Sequence, residues 1–193
     1  MKKIVLASSS PRRKELLLKY KIQPLIVSSN ISEQINSNEN PEEVAMSLAY
    51  EKAYNVSKKF KNGEIIIGAD TLVCLDENIL GKPKDEQEAF SMLKTLNNRE
   101  HFVITGLAII KANTNLKIIE YEKTAVTFRY LTDEKIKKYI ETEEYKDKAG
   151  AYAVQGLGEV LVEKIVGCYS NVVGLPITKL DTLLEKHFNV SLL

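Results

Sequence analysis

The sequence predicts an α/β protein in which helices flank a mixed β-sheet. Apolar runs of strand length alternate along the chain with segments of helical period, and most of the helical segments begin at a capping residue or a proline. The chain has 193 residues and is 44% hydrophobic, which is enough for one packed core. Because no internal repeat or linker is evident, we expect a single domain over residues 1–193.

The predicted strands are runs of apolar and β-branched residues. The run "EIIIGADTLVCL" at 64–75 is apolar on both faces, which is typical of a strand buried in the middle of a sheet. The turn "ANTN" at 112–115 separates two further strands. The other strands are predicted at 3–7, 101–111, 117–131 and 158–167.

Each predicted helix is marked at its start. Ser10 precedes Pro11, and Asn40 precedes Pro41 with Glu43 three residues after the cap, as is typical of helix N-termini. With their caps, the helical segments are 10–20, 40–60, 85–96, 132–142 and 176–188. The polar stretch at 28–40 is predicted to be a loop, and its length indicates a functional role.

Composition excludes several classes of function. The 27 basic and 26 acidic residues leave a net charge of +1, so we expect no nucleic-acid partner. No apolar run approaches the ~18 residues of a membrane span, and "MKKIVLAS" is too short for a signal peptide, so we expect no membrane partner. We interpret the distant Cys74 and Cys168 as buried thiols of a cytoplasmic protein, and two histidines are too few for a histidine-rich zinc site.

Two adjacent arginines open the first predicted helix, where the helix dipole disfavours positive charge by ~0.3–1 kcal/mol each. Arg12 and Arg13 follow the hydroxyls of Ser8, Ser9 and Ser10 in "LASSSPRRKELL". Backbone N–H groups at a helix start, together with arginine, favour a bound anion such as phosphate. The alternative is that both arginines are simply solvated.

Two charged residues interrupt apolar patterns. Lys52 falls within the apolar stripe of the second helix, so it either meets a buried anion or extends outward to water. Because Lys52 interrupts that stripe, Lys52→Met is predicted to leave the thermal midpoint unchanged or raised and to lower kcat/KM severely, whereas a solvated lysine would predict little change in activity. Asp70 lies in an apolar strand after Gly68, which suggests a close backbone approach, and it is either cation-paired or metal-bound, or a structural cap of a loop.

Three further features of the sequence add candidate site residues: a lysine before a proline, a glutamate in the polar loop and a glycine-rich segment. Lys82 is held before Pro83 in "GKPK", and Glu33 lies in the polar loop. The segment "KAGAYAVQGLGEVLV" is glycine-rich enough for a binding loop, but the phosphate-binding glycine signatures of the common nucleotide folds do not occur. Carboxylates and cations without histidine or cysteine suit metal-assisted attack of water on a phosphoryl group, with Asp70 and Glu33 as ligands of a hard cation.

Six short blocks in order resemble the Maf family of nucleoside triphosphate pyrophosphatases. They are "LASSSPRR", "EK" at 51–52, "IIGADTLV", "GKP", "DKAGAYAVQG" and "VVGLP", and together they run from residue 6 to residue 176. The resemblance implies an ITPase-like fold with two lobes around a central cleft. It also implies hydrolysis of a nucleoside triphosphate substrate to the monophosphate and pyrophosphate, with a divalent metal cation, Mg²⁺ or Mn²⁺.

The family's residue roles carry over to matching positions as implications of the resemblance. Asp70 matches the proton acceptor and, with Glu33, the metal site; many members have a second acid where this chain has Ser32. The positions that match the phosphate contacts are Ser8, Arg13, Lys52 and Lys82. The positions that match the branch acting on dTTP and UTP are Arg12, Thr71 and Gln155.

The resemblance implies a role in cleaning the nucleotide pool, with dTTP and UTP preferred, and leaves a homodimer open as the assembly. Two alternatives remain at this point. One is a pyrophosphatase for methylated purine nucleotides, which would need different residues at positions 12, 71 and 155. The other is a non-enzymatic regulator of cell division and septum formation, which would need an interaction surface.

Overall fold

The computed structural model describes residues 3–29, 31, 40–76 and 78–193. The strands are β1 (Ile4–Leu6), β2 (Leu25–Ile26), β3 (Ile65–Leu75), β4 (Asn78–Leu80), β5 (Glu100–Lys111), β6 (Lys117–Phe128) and β7 (Val162–Val166). The helices are α1 (Pro11–Lys19), α2 (Pro41–Ser57), α3 (Glu86–Leu96), α4 (Asp133–Ile140), α5 (Tyr169–Val173) and α6 (Ile177–Phe188). Two short 3₁₀ helices span Ala149–Ala151 and Gly156–Leu161.

One mixed sheet of seven strands organises the chain. Its order is β2-β1-β3-β5-β6-β7, and β4 pairs with β3. The pairs β1/β2 and β1/β3 are parallel, whereas β3/β5, β5/β6 and β6/β7 are antiparallel. The predicted α/β class with a mixed sheet and flanking helices is confirmed.

Most of the predicted helix starts are confirmed in detail. The Asn40 side chain accepts hydrogen bonds from the N–H groups of Glu42 (2.9 Å) and Glu43 (3.4 Å). Asp85 and Thr132 cap α3 and α4 in the same way. Ser10 is the exception, because its side chain makes no cap bond; its own N–H instead donates to Ser8 Oγ at 3.2 Å.

Two glycines let α2 lie directly on the sheet. A Cβ added at Gly68 would stand 2.4 Å from the Ala49 carbonyl oxygen, and one added at Gly106 would stand 2.0 Å from the Ala45 carbonyl oxygen. Such contacts are impossible, so the helix backbone approaches β3 and β5 only because both positions lack a side chain. The close approach predicted from Gly68 is therefore confirmed, and it brings the buried face of α2, with Lys52, against the sheet.

The hydrophobic core is interrupted at the middle of β3. Alternate residues of a strand point to opposite faces. On one face of β3, residues 65, 67 and 69 belong to one hydrophobic cluster and residues 73 and 75 belong to another, and Thr71 lies between the two clusters. On the other face, 66 belongs to one cluster and 72 and 74 to another, with Asp70 between them. The two polar residues thus mark a junction between two apolar lobes.

The same stretch of β3 also has an open edge. β1 pairs with β3 as far as Ile67, and β4 begins to pair at Val73. Within the described part of the chain no strand covers the edge between them, and the segment after β1 turns away there into α1. A space opens at the junction of the two lobes.

Several local predictions need correction. The predicted strand 158–167 is a 3₁₀ helix over Gly156–Leu161 followed by β7. The short elements β2, β4 and α5 were not predicted. Cys74 is buried as expected, but Cys168 is partly exposed. Among the described residues, no helix has the length and apolar character needed to cross a membrane.

Candidate active site

A cavity of about 690 Å³ lies at the open edge of β3. It is bordered by the start of α1, by α2, by the middle of β3 and by residues 147–154. The sequence-predicted residues that line it are Ser8, Arg12, Arg13, Lys52, Asp70, Thr71 and Lys82. Gln155 is not among the lining residues, although Val154 next to it is, and Glu33 lies outside the described residues.

Lys52 and Asp70 form a buried ion pair. Lys52 Nζ donates to Asp70 Oδ1, and the two side chains are 11% and 10% exposed. Two turns of α2 separate Lys52 from Ala45, so the glycine contacts of that helix set where the ammonium meets the strand. Of the two alternatives from the sequence, Lys52 therefore meets a buried anion, Asp70, and does not extend outward to water.

Arg13 is anchored by three hydrogen bonds. Its Nε donates to the Gly174 carbonyl oxygen at 2.7 Å, Nη1 to Ser8 Oγ at 3.2 Å, and Nη2 to Thr71 Oγ1 at 3.0 Å. These partners belong to three separate parts of the chain. A guanidinium held in this way presents its charge to the cavity in one orientation.

The hydroxyl of Thr71 belongs to a hydrogen-bond chain with a defined direction. Thr71 and Thr105 are cross-strand partners, and their Oγ1 atoms are 3.0 Å apart. Thr105 Oγ1 donates to the Asn171 carbonyl oxygen at 3.1 Å, so the proton between the two threonines comes from Thr71. Arg13 already donates to Thr71, which leaves this hydroxyl able to accept one more bond but not to give one.

The hydrogen-bond chain that starts at Thr71 ends at Asn171, which is fully buried. Asn171 Nδ2 donates to the Val103 carbonyl oxygen at 3.0 Å and to Thr124 Oγ1 at 2.9 Å. Thr105, Thr124 and Asn171 are all 0% exposed. The network therefore joins α5 to β5 and β6 beneath the floor of the cavity, and it holds Thr71 from below.

The side of the cavity opposite β3 consists of residues 147–154 and the turn that carries Lys82. It has cationic side chains, and a backbone hydrogen bond links its two segments. Gly150 N donates to the Gly81 carbonyl oxygen at 3.0 Å, which links residues 147–154 to the turn that carries Lys82. Burial lowers the pKa of Lys148, and the charges of Arg12 and Lys82 lower it further, whereas the carboxylates of Asp147 and Glu144 oppose the shift. Three cations from separate segments thus repel one another around the same space, which favours an anionic ligand.

Tyr152 lines the cavity and rests on a buried histidine. His101 Nε2 lies 2.8 Å from the Tyr152 hydroxyl, and both rings pack edge-on against Phe128. Burial lowers the pKa of His101 to about 4, opposed in part by the Arg99 carbonyl group. His101 is therefore neutral at physiological pH and is part of the support for the cavity wall.

Sequence reasoning missed several residues of the site. Lys148 and Tyr152 belong to the block "DKAGAYAVQG", which was predicted to be a binding loop, so a signal for them existed. Thr105 and Asn171 carried no such signal. Their importance depends on strand register and on a contact between residues 66 positions apart, and neither can be seen in a local pattern.

The oxygen donors of the cavity fit a hard divalent cation. Within the described ranges, no group of three His, Cys, Asp or Glu side chains lies close enough to hold a metal ion alone. Mg²⁺ needs no such cage, because one or two carboxylates and substrate phosphates often complete its shell together with water. Asp70 and the hydroxyls of Ser8, Ser28 and Ser29 all border the cavity and supply donors of this kind.

Comparison with known proteins assigns the family. Residues 3–187 match the family described as Maf-like protein. The chain belongs to the Maf family. The assignment suggested by the six sequence blocks is confirmed, and the match covers almost all of this Maf chain.

Three relatives of this Maf chain share the same name. A protein of Alkaliphilus oremlandii named "dTTP/UTP pyrophosphatase" is 50% identical over 193 residues, which is 100% of both chains. One of the same name from Caldanaerobacter subterraneus subsp. tengcongensis is 51% identical over 97% of this chain and 90% of its own. A third, from Clostridioides difficile, is 48% identical over 98% of this chain and 97% of its own.

Proposed function

We propose that this chain hydrolyses nucleoside triphosphates, dTTP and UTP in preference, to the nucleoside monophosphate and pyrophosphate. The observation that carries the proposal is one cavity that the carboxylate of Asp70, held by Lys52, borders together with four further cationic side chains, those of Arg12, Arg13, Lys82 and Lys148. The names of the relatives support the choice of substrate. Removal of unwanted nucleotides from the cellular pool is the corresponding role.

The cations of the cavity suit a triphosphate. Arg13 is preorganised by its three hydrogen bonds, and Lys82 and Lys148 approach from the other side. Preorganised charge in a site with little water stabilises charge that develops during the reaction. The same cations would hold the β- and γ-phosphates and stabilise the pyrophosphate as it leaves.

Asp70 is the group that would accept the proton of the attacking water. Its Oδ1 is bonded to Lys52, but a carboxylate has room for further hydrogen bonds on its two oxygens. A bound Mg²⁺ or Mn²⁺, held by Asp70 and, by family resemblance, Glu33, would supply charge neutralisation at the phosphates and a more acidic water. Lys52 holds the carboxylate at the cavity edge, from where it would orient the water for attack on the α-phosphorus of a bound substrate.

Base selection is assigned to Arg12, Thr71 and Gln155. Because the Thr71 hydroxyl can accept but not donate, it suits an N–H group such as N3–H of thymine or uracil. Arg12 lines the cavity and offers donors for the carbonyl oxygens on either side of that N–H. Gln155 would have to reach the base from beside Val154, and its amide can both donate and accept.

A pyrophosphate-release assay over a nucleotide panel tests this function. The panel should contain dTTP, UTP, ATP, GTP and methylated purine triphosphates, each with Mg²⁺ and with Mn²⁺. We expect kcat/KM for dTTP and UTP to exceed that for ATP by ~10–100-fold, since each mispaired buried polar group costs ~1–3 kcal/mol. Equal rates with purines would refute the selectivity, and release of orthophosphate instead of pyrophosphate would refute the reaction.

A further inference from the structure

Glu144 has a contact that the proposed chemistry does not use. It lies beyond the end of α4, and its carboxylate is seated in the backbone of the segment after Gln155. Oε1 accepts from Leu157 N at 3.1 Å, and Oε2 accepts from Gly158 N at 2.7 Å. Both oxygens of one side chain thus bind consecutive N–H groups of a segment 13–14 residues further along the chain.

The receiving segment is shaped to admit this carboxylate. A Cβ at Gly156 would stand 2.2 Å from Glu144 Oε1, and the φ of Gly156 is +76°, a conformation that side chains rarely adopt. A Cβ at Gly158 would stand 2.1 Å from the Ala153 carbonyl oxygen. A side chain at Gly158 would collide with backbone, and one at Gly156 would strain the backbone and displace Glu144, so residues 153–158 and Glu144 form one closely packed unit.

Tyr139 of α4 holds the other end of the same segment. Its hydroxyl accepts a hydrogen bond from Ala153 N at 3.2 Å. Burial raises the pKa of Tyr139, and the Glu144 carboxylate raises it further, so the phenol stays protonated beside that carboxylate. Gln155 therefore lies between two anchored points, Ala153 on one side and Leu157 on the other.

Arg12 is close enough to Glu144 for their charges to interact. Burial lowers the pKa of the Arg12 guanidinium, and the negative charge of Glu144 opposes that effect. Arg12 opens α1 and borders the cavity, whereas Glu144 follows α4. Glu144 is thus an anion that binds the segment after Gln155 and acts through its charge on Arg12 at the start of α1.

We propose that Glu144 is a positioning residue for base recognition, which holds residues 153–158 in one fixed arrangement relative to the nucleobase and sets a negative charge near Arg12. The inference rests on the proposed function, because it concerns the selection of the base at that site. It explains how Gln155, which does not border the cavity in this structure, is kept within reach of it. Recognition here depends on backbone placement as well as on the side chains that meet the base.

The test replaces the carboxylate with an amide of the same shape. In Glu144→Gln one oxygen still accepts, but the NH₂ group cannot accept from the second backbone N–H, and the charge beside Arg12 is lost. We expect kcat/KM for dTTP to fall ~10–100-fold, mainly through KM, as for the loss of a charge-assisted hydrogen bond. The ATP rate should fall less, so the dTTP/ATP ratio should shrink.

A matched control lies next to it in the chain. Glu143 makes an exposed ion pair with Lys146 at 2.7 Å. Glu143→Gln removes the same charge from the same segment, and the dTTP/ATP ratio should stay within twofold of the wild type. Tyr139→Phe is a second variant, which frees Ala153 N but keeps the buried ring; it should lower the ratio in the same direction by a smaller factor.

Hydrogen exchange gives a readout that does not need turnover. The amides of Leu157 and Gly158 should exchange faster in Glu144→Gln than in the wild type and in Glu143→Gln. If they do so while the dTTP/ATP ratio is unchanged, Glu144 supports the fold alone and the inference is wrong. If the wild type itself shows no preference for dTTP, the proposed selectivity fails first, and faster exchange cannot rescue the inference.

Discussion

The two sides of the cavity are built in different ways. On the β3 wall, which consists of Arg13, Lys52, Asp70 and Thr71, each side chain is held by bonds to other side chains or to a carbonyl group. On the loop wall, residues 147–154, Gly150 and Ala153 are held through their backbone N–H groups, and among the lining side chains Tyr152 is supported by His101. The first arrangement determines the position of charged atoms, and the second determines the course of a chain segment.

This difference corresponds to two tasks. Proton transfer and phosphate binding depend on a few atoms placed within tenths of an ångström, which a network of side-chain bonds provides. Selection of a base depends on the shape of a whole surface, which a supported segment can provide. Changes at the charged residues of the β3 wall, Arg13, Lys52 and Asp70, should therefore abolish turnover, whereas changes at Thr71 or in the support of the loop wall should alter selectivity.

The largest effect is expected at the centre of the β3 wall. Asp70→Asn keeps the size of the side chain but removes the group that accepts a proton. Loss of a general base typically lowers the rate ~10²–10⁴-fold, so pyrophosphate release from dTTP should fall by at least that factor. Circular dichroism should show a folded protein. Turnover within tenfold of the wild type would remove Asp70 from the proposed mechanism.

Lys52→Met is the second test, and here the structure changes the expectation from sequence. The sequence predicted that methionine would not lower thermal stability, but Lys52 is paired with a buried carboxylate. Breaking a buried pair leaves one charge uncompensated and costs ~3–5 kcal/mol, so we expect a lower Tm as well as a large loss of kcat/KM. The double variant Lys52→Met with Asp70→Leu should recover most of the Tm but none of the activity. An unchanged Tm in the single variant would show that the pair contributes no stability.

Acid should affect the loop wall through His101. Its pKa is lowered from 6.5 to about 4 by burial, so the unfolded chain binds the proton more tightly than the folded one does. The free energy of unfolding should therefore decrease as pH falls from about 6.5 to about 4, by about 3 kcal/mol in all at ~1.4 kcal/mol per pKa unit. Urea titrations between those pH values measure this slope. His101→Gln should flatten it, and a slope that persists unchanged in that variant would show that His101 is not its source.

The smallest effect is expected beneath Thr71. Thr105→Val removes the hydroxyl that accepts from Thr71 and donates to the Asn171 carbonyl group. Thr71 can still bond to water at the cavity edge, so the loss should be about 1 kcal/mol, equivalent to roughly fivefold in kcat/KM. Thr105→Ser should restore it. If valine is tolerated without change, the directed hydrogen-bond chain has no role in holding Arg13 and Thr71.

Sequence reasoning found the β3 wall well. Arginine at a helix start, lysine in an apolar stripe and aspartate in an apolar strand each contradict a local rule, and functional residues often do so. All three border the cavity. What the sequence could not supply was the pairing of Lys52 with Asp70, because that contact depends on how closely α2 packs on the sheet.

The segment that follows the loop wall was harder to predict for a physical reason. The apolar run at 158–167 has the pattern of a strand, but Gly158 N and Leu157 N before it donate to Glu144, and the sheet is joined only from Val162. A bond to a side chain more than ten residues away cannot be seen in a local pattern. Elements of two or three residues, such as β2 and β4, have too few positions to show any period.

The contact between α2 and Gly106 has a consequence for mutational studies. Gly106 is the cross-strand partner of Asp70, but its contact is with the Ala45 backbone on the face covered by α2. A single methyl group at this position would displace the helix that carries Lys52. A mutational screen scored by loss of activity would therefore rank Gly106 with the residues that touch substrate. Gly106 matters there only because it has no Cβ atom, which leaves space for the α2 backbone.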